Sequence, residues 1–142
     1  MGTIPKKVQE LIKTAFPMNV CLVGSVLPSG YAQVSPRGSV WPFDDNRIML
    51  WERGRGSTHD HMKDGERLTI YYQNFGKRDV LPIGGIARLY GTAKVFKSGP
   101  VYEQVWEKLI APEKERDPEK KGYAVLISID RTEDLLGQTI TE

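Results

Sequence analysis

Apolar residues near the N-terminus recur at intervals of three and four, which predicts an amphipathic helix. These residues are Val8, Leu11, Ile12, Ala15 and Phe16. Pro17 follows directly and is expected to end the helix. The pattern then changes, because residues 19–35 carry two strand-like runs joined at Pro28-Ser29-Gly30. This arrangement predicts a β-hairpin.

The middle of the chain contains three more strand-like runs, at 47–52 (RIMLWE), 67–74 (RLTIYYQN) and 86–96 (IARLYGTAKVF). In the last of these runs, apolar and polar residues alternate. Its apolar positions are Ala87, Leu89, Gly91, Ala93 and Val95, and its polar ones are Arg88, Tyr90, Thr92 and Lys94. Small residues facing inward suit the narrow interior of a closed barrel.

The C-terminal third predicts a second helix over about 100–111, with a buried stripe that includes Val105 and Leu109. The charged stretch 112–122 (PEKERDPEKKG) has no apolar anchor and is expected to be a solvated loop. Residues 123–130 form a predicted buried strand, and 134–141 a shorter final one. Six or seven strands interrupted by helices predict an α+β barrel in a single domain spanning 1–142.

The composition excludes several classes of function but does not identify a particular one. A chain of 142 residues is long enough for one core, and its net charge of +2 gives no general reason to bind nucleic acid or membranes. The N-terminus lacks the apolar core of a signal peptide, and a single cysteine fits a reducing compartment. We therefore expect a cytoplasmic protein that partners neither nucleic acid nor a membrane.

Anion-seeking groups are concentrated at residues 51–62, WERGRGSTHDHM. Ser57 is predicted to begin a short helix after the strand, and the unpaired N–H groups of a helix N-terminus attract anions. Arg53 and Arg55 supply guanidinium groups that match phosphate geometry, and Thr58 adds a hydroxyl. The segment predicts a site for a phosphate ester. A solvent-facing turn in which the serine only caps a helix would account for the same residues.

Residues just after the hairpin add to this corner. Arg37 and Ser39 leave the second hairpin strand on its polar side and are expected to reach the same place. In this order of elements, the most specific features are the arginine strand, the Ser/Thr helix start and the later ARLYG strand. Together they resemble the FMN-binding split barrels related to pyridoxamine 5'-phosphate oxidase, over about 8–129.

The resemblance implies an antiparallel split β-barrel with flanking helices and a homodimer that binds FMN at its interface. It places Arg37, Arg55, Ser57 and Thr58 at the flavin phosphate. It further implies that the strand end Trp51, Glu52 and Arg53 runs beside the isoalloxazine ring. Gln73 and Arg88 would lie near the flavin, Gln73 beside that of the partner subunit.

Three departures from the pyridoxamine 5'-phosphate oxidase pattern argue against that activity itself. His59 replaces a lysine that usually follows the serine by two residues, and Ile86 replaces a glutamine before Arg88. A C-terminal substrate-binding tryptophan and arginine have no counterpart in 134–142. With these departures, the resemblance implies a short, divergent member of the family, an FMN-dependent oxidoreductase. It would pass electrons from a reductant, such as NADH or NADPH, through FMN to a small acceptor or oxygen.

Alternatives to this function come from two other classes. A non-catalytic module that stores or senses flavin, haem or a deazaflavin has a similar barrel and needs no acid/base pair. An oligonucleotide-binding barrel also uses arginines and aromatic residues, but the low net charge disfavours it. Tyr72 and His59 are the weak candidates for a general acid or base.

Two further features suggest chemistry but have simpler explanations. His59 and His61 are two residues apart, so on a helix they face different directions and do not converge on one metal ion. Cys21 is flanked by valine and leucine and lacks a basic neighbour, which predicts a buried, unreactive thiol. We expect no metal site, and the sequence does not identify the catalytic residues.

Overall fold

The computed structural model describes residues 2–53 and 62–142, which form seven strands and three helices. The strands are β1 Leu22–Val26, β2 Ala32–Pro36, β3 Trp41–Pro42, β4 Arg47–Glu52, β5 Arg67–Gln73, β6 Ile86–Phe96 and β7 Tyr123–Glu133. The helices are α1 Lys6–Lys13, α2 Pro100–Lys108 and α3 Ala111–Glu115, and a 3₁₀ turn spans Phe75–Lys77.

The strands form one antiparallel sheet in the order β2-β1-β5-β6-β7-β4-β3. The sheet curls until its two ends approach each other. The contact between the side chain of Arg37, just after β2, and Glu52 at the end of β4 shows this approach. The predicted α+β split barrel of six to seven antiparallel strands with flanking helices is confirmed.

The inner face of the barrel holds the larger core, which α1 covers with Val8 and Ile12. On β6 the buried positions include Ala87, Leu89 and Ala93, so the predicted inward face is confirmed. Gly91 lies on the same face, where a Cβ would approach the Cγ2 atom of Ile127 to 2.7 Å. The small residues of β6 therefore set how closely β7 can pack.

A second core lies outside the barrel, between α2 and the outer face of β4 and β7. Its buried members are Met49, Trp51, Tyr102, Val105, Leu109, Ala124 and Leu126. Trp51 packs between two aromatic rings, with centroids 5.2 Å from Tyr102 and 5.0 Å from Trp106. Side chains alternate along β4, so its residues face the barrel and the helix in turn.

The structure corrects the C-terminal predictions. The helix predicted over 100–111 ends at Lys108, and a separate helix, α3, begins at Ala111. The stretch 112–122, predicted to be a solvated loop, is helical up to Glu115 and buries Glu113 and Asp117, although several of its other residues are exposed. The strand predicted for 134–141 is also wrong, since this stretch forms a turn with one bridge, between Glu133 and Thr139.

Two further points complete the fold. The two-residue strand β3 had no alternating pattern from which it could be predicted. The longest helix within 2–53 and 62–142 has nine residues, and none of the helices there has the length and apolar character needed to cross a membrane.

Candidate functional site

The end of β4 brings four of the predicted site residues together. The guanidinium of Arg37 forms an ion pair with the carboxylate of Glu52, a buried residue. The hydroxyl oxygen of Ser39 accepts a hydrogen bond from the backbone N–H of Trp51 at 3.0 Å. The connection after β2 is thus fixed to the last residues of β4.

The Arg37–Glu52 pair is mostly removed from water. The side chain of Arg37 retains 15% of its exposure and that of Glu52 only 2%. Ions in such surroundings interact more strongly than at the surface, because little solvent screens them. Part of the positive charge of Arg37 is therefore balanced within the protein, and its contact with a phosphate stays a prediction.

The indole of Trp51 is buried in the interior of the protein. The side chain is 1% exposed, and Nε1–H donates to Oδ2 of Asp117 at 2.8 Å. Asp117 also accepts the backbone N–H groups of Lys121 at 2.9 Å and Gly122 at 2.8 Å. A flavin beside this strand end would meet the backbone and Arg53 rather than the face of the indole.

The pKa of Asp117 reflects these contacts. Burial disfavours the charged carboxylate, but the hydrogen bonds from Trp51 and the two backbone N–H groups outweigh burial and lower the pKa below its ordinary value. The positive charge of Arg53 acts in the same direction. Arg53 is exposed at the point where the chain leaves β4, so its charge faces solvent.

The remaining residues of the predicted phosphate corner lie outside the described part of the chain. These are Arg55, Ser57 and Thr58, together with His59 and His61. Their roles stay predictions from the sequence. Within 2–53 and 62–142 no three His, Cys, Asp or Glu side chains are grouped as metal ligands.

A second place with predicted site residues is an open cleft of about 740 Å³ on the outer face of the sheet. Small and apolar residues of β1, β2 and β5 form its floor, among them Gly24, Ala32 and Thr69. Arg88, Tyr90, Tyr71 and Arg67 also line it. Its volume is typical of pockets for cofactors and other small molecules, which span roughly 300–1,000 Å³.

Glu133 organises the polar residues of this cleft. Its Oε1 accepts hydrogen bonds from the hydroxyl of Tyr90 at 2.6 Å and from Nη1 of Arg88 at 3.4 Å. Its Oε2 accepts from Nε of Arg131 at 2.8 Å. These donors, Tyr90 first, lower the pKa of Glu133, whereas the carboxylate raises the pKa of Tyr90. Arg88 is thereby held at the cleft.

Among the described residues of one chain, the two places do not merge. Arg37 turns toward the barrel interior and Glu52, whereas Arg88 lies on the outer face of β6. Gln73 is exposed at the end of β5, where its side-chain oxygen accepts from the Tyr71 hydroxyl at 3.4 Å. The sequence predicted a flavin site at a homodimer interface, and the described residues of one chain form a strand-end cluster and a separate cleft.

Several residues of these two places were missed by the sequence analysis. Tyr90 and Glu133 belong to different strands, and only the pairing of β6 with β7 brings them together. Asp117 lies in a charged stretch that gives no sign of burial. Conversely, Tyr72 is fully buried, and burial raises its pKa, so its hydroxyl does not reach either place.

The thiol of Cys21 is buried as predicted, and desolvation raises its pKa to about 12. A thiol with that pKa remains protonated and is a poor nucleophile at neutral pH. Cys21 therefore takes no part in the candidate chemistry.

The curled seven-stranded sheet, with its strand-end cluster and outer cleft, places the chain in the class of FMN-binding split barrels. Residues 4–132 match the family model described as pyridoxamine 5'-phosphate oxidase, and the chain belongs to this family. No curated protein sequence gives a significant match.

Solved structures confirm the fold at low sequence identity. HupZ of Group A Streptococcus is 21% identical with a TM-score of 0.73, over 98% of this chain and 99% of that one. An FMN-binding protein of Syntrophomonas wolfei is 10% identical with a TM-score of 0.60, over 90% and 83%. An F420 reductase is 10% identical with a TM-score of 0.54, over 81% and 89%.

The described residues are compatible with FMN on chemical grounds. The outer cleft offers apolar surface for a ring system and the cation of Arg88 beside it. At the other place, Arg53 supplies an exposed cation next to the segment with the predicted phosphate donors. A planar ring with a dianionic tail requires this combination of an apolar surface and separated cations.

Proposed function

We propose that the protein is an FMN-dependent oxidoreductase that acts as a homodimer. Family membership supports the choice of FMN, and the separation of the two candidate places carries the argument for the dimer. A complete flavin site needs both the strand end with its phosphate corner and the cleft with Arg88. A second subunit can supply the half that one chain holds elsewhere.

The outer face of the sheet supports this assembly, because it exposes apolar side chains around the cleft. Val26 and Val34 are each 61% exposed, and Tyr31 is exposed beside them. Contiguous exposed apolar surface on a small domain is typical of an interaction site. In our proposal a second copy of the chain covers this face and excludes water from the cleft.

Each half has a distinct task. Arg53, together with the predicted donors Arg55, Ser57 and Thr58, holds the phosphate. Arg88 places its charge beside the ring, where a fixed cation stabilises negative charge that develops during reduction. Glu133 keeps Arg88 and Tyr90 oriented toward the cleft. The cytoplasmic location expected from the sequence is part of the proposal.

Bound FMN would supply two-electron chemistry, in which hydride comes from NADH or NADPH and the electrons pass to a small acceptor or oxygen. The chain binds and orients the flavin and lowers the exposure of its ring to water. Pyridoxamine 5'-phosphate oxidation itself is not proposed, because Ile86 and His59 depart from the pattern of that enzyme.

A second candidate is a module that binds flavin, haem or a deazaflavin without catalysis. The similarity in fold to an F420 reductase supports a deazaflavin as an alternative ring. The polar groups at the cleft also favour binding over catalysis, because Arg88 and Tyr90 are both bonded to Glu133.

The test is the absorbance spectrum of the purified protein, followed by titration with FMN and anaerobic addition of NADH or NADPH. We expect one FMN per chain, released on denaturation, and bleaching by a nicotinamide. FMN uptake without bleaching would favour the binding module, and uptake of F420 or haem alone would exclude FMN as the cofactor.

The dimer is tested in the same preparation with Val34→Asp and a control, Met18→Asp. Both residues are exposed and apolar, but Met18 does not line the cleft. We expect only Val34→Asp to lower the sedimentation mass to that of a monomer and to weaken FMN binding. A monomeric wild-type protein with full FMN affinity would contradict the proposed shared site.

A further inference from the structure

Two carboxylates in the charged segment 112–122 are buried against the two chain segments that form the strand-end cluster. Asp117 accepts the indole N–H of Trp51 at the end of β4. Glu113 lies against the turn after Arg37, because a Cβ on Gly38 would be 2.7 Å from Oε2 of Glu113. The segment predicted to be solvated thus contacts both sides of the candidate site.

Gly122 closes the same segment onto β4. A Cβ at this position would lie 2.7 Å from Nε1 of Trp51 and 3.0 Å from the Cα atom of Arg53. Asp117 holds Gly122 there by accepting its backbone N–H at 2.8 Å. The backbone of Glu52 and Arg53 therefore packs against Gly122, which Asp117 holds in place.

The strand end and the turn are also joined to each other, since the Ser39 hydroxyl accepts the backbone N–H of Trp51. Burying a carboxylate is unfavourable unless hydrogen bonds replace its hydration. Asp117 obtains three such bonds, all from groups beside the end of β4 or within its own segment. A solvated connection between α2 and β7 would not need a buried carboxylate with three hydrogen bonds.

We infer that Asp117 is a positioning residue that sets the geometry of the β4 end, where Arg53 is the described cation proposed for the phosphate of FMN. It fixes the indole of Trp51 and the backbone of Gly122, and Gly122 in turn packs against the Cα atom of Arg53. The inference rests on the proposed function, because it assigns Asp117 a role in binding the phosphate of FMN without touching it.

The experiment compares Asp117→Ala and Asp117→Asn with the control Asp44→Ala in the full-length chain. Asp44 is a matched control, because it also accepts two backbone N–H groups, those of Asn46 and Arg47, but it precedes the end of β4 that is opposite to Glu52. FMN affinity is measured by flavin fluorescence quenching under conditions in which each variant is folded. Amide and indole N–H resonances are recorded by NMR without FMN.

We expect Asp117→Ala to weaken FMN binding at least tenfold and to shift the resonances of the Trp51 indole, Arg53 and Ser39. Asp117→Asn keeps an oxygen that can accept the indole N–H, so it should restore most of the indole shift and lose only about threefold in affinity. Asp44→Ala should change affinity less than twofold.

Three outcomes decide between the claims. Folded Asp117 variants with wild-type FMN affinity would overturn the inference, and so would unchanged Arg53 and Ser39 resonances. A wild-type chain that takes up no FMN would overturn the proposed function instead. In that case the resonances of the apoprotein alone decide whether Asp117 sets the geometry of the strand end.

Discussion

The ion pair between Arg37 and Glu52 allows a quantitative test of how the strand-end cluster is built. In Arg37→Met the carboxylate of Glu52, whose side chain is 2% exposed, loses its partner. Removing one member of a buried ion pair typically costs about 3–5 kcal/mol. The side chain of Arg37 is 15% exposed, so some water can reach the site, and we expect a loss near about 3 kcal/mol.

A loss of this size would be easy to measure. Domains are stable by roughly 5–15 kcal/mol, and about 3 kcal/mol corresponds to a fall in Tm of about 10 °C for a chain of this length. Glu52→Gln should cost less, about 2 kcal/mol, because the amide still offers an oxygen to the guanidinium. The double variant Arg37→Met/Glu52→Leu should recover most of the loss, since both charges are removed.

The assay is urea unfolding followed by circular dichroism at one fixed protein concentration, because assembly would make stability depend on concentration. A loss below about 1 kcal/mol for Arg37→Met, or a double variant no more stable than the single one, would refute the reasoning. The double variant also tests whether the pair takes part in binding the ligand. A stable double variant with weakened FMN binding would assign a role at the ligand to the pair, not to Arg37 alone.

Two other predictions concern packing and pH. Gly122→Ala should destabilise the fold by about 1–3 kcal/mol, since the new methyl group meets the carbonyl oxygen of Glu52. Gly24→Ala is the control, because the nearest atoms to its new methyl group are 3.9 Å away. For this control, urea unfolding should detect a change below about 1 kcal/mol. Burial raises the pKa of Cys21 from 9.0 to about 12, so the unfolded chain loses the thiol proton first and stability falls as pH rises above 9. Relative to Cys21→Val, the wild type should lose about 1.4 kcal/mol by pH 10, and parallel curves for the two proteins would contradict the assignment.

Regular alternation and helical periods determined much of the fold from the sequence alone. The inward face of β6 and the buried strand β7 follow from apolar residues at fixed intervals, which only one face of a sheet or helix can bury. The order of elements and the arginine-rich strand end were enough to indicate the family. The residues proposed for the phosphate also follow from the sequence, because arginine and hydroxyl side chains cluster at residues 51–62.

Only the tertiary structure decided which charged residues are buried and how the candidate residues are divided. Asp117 lies in a stretch of alternating charges, and its burial depends on hydrogen bonds to Trp51, 66 positions away. Glu133 reaches Tyr90 through strand pairing, and Arg37 meets Glu52 because the sheet curls. Local patterns carry no information about such contacts, since their free energy arises when distant segments exclude water together.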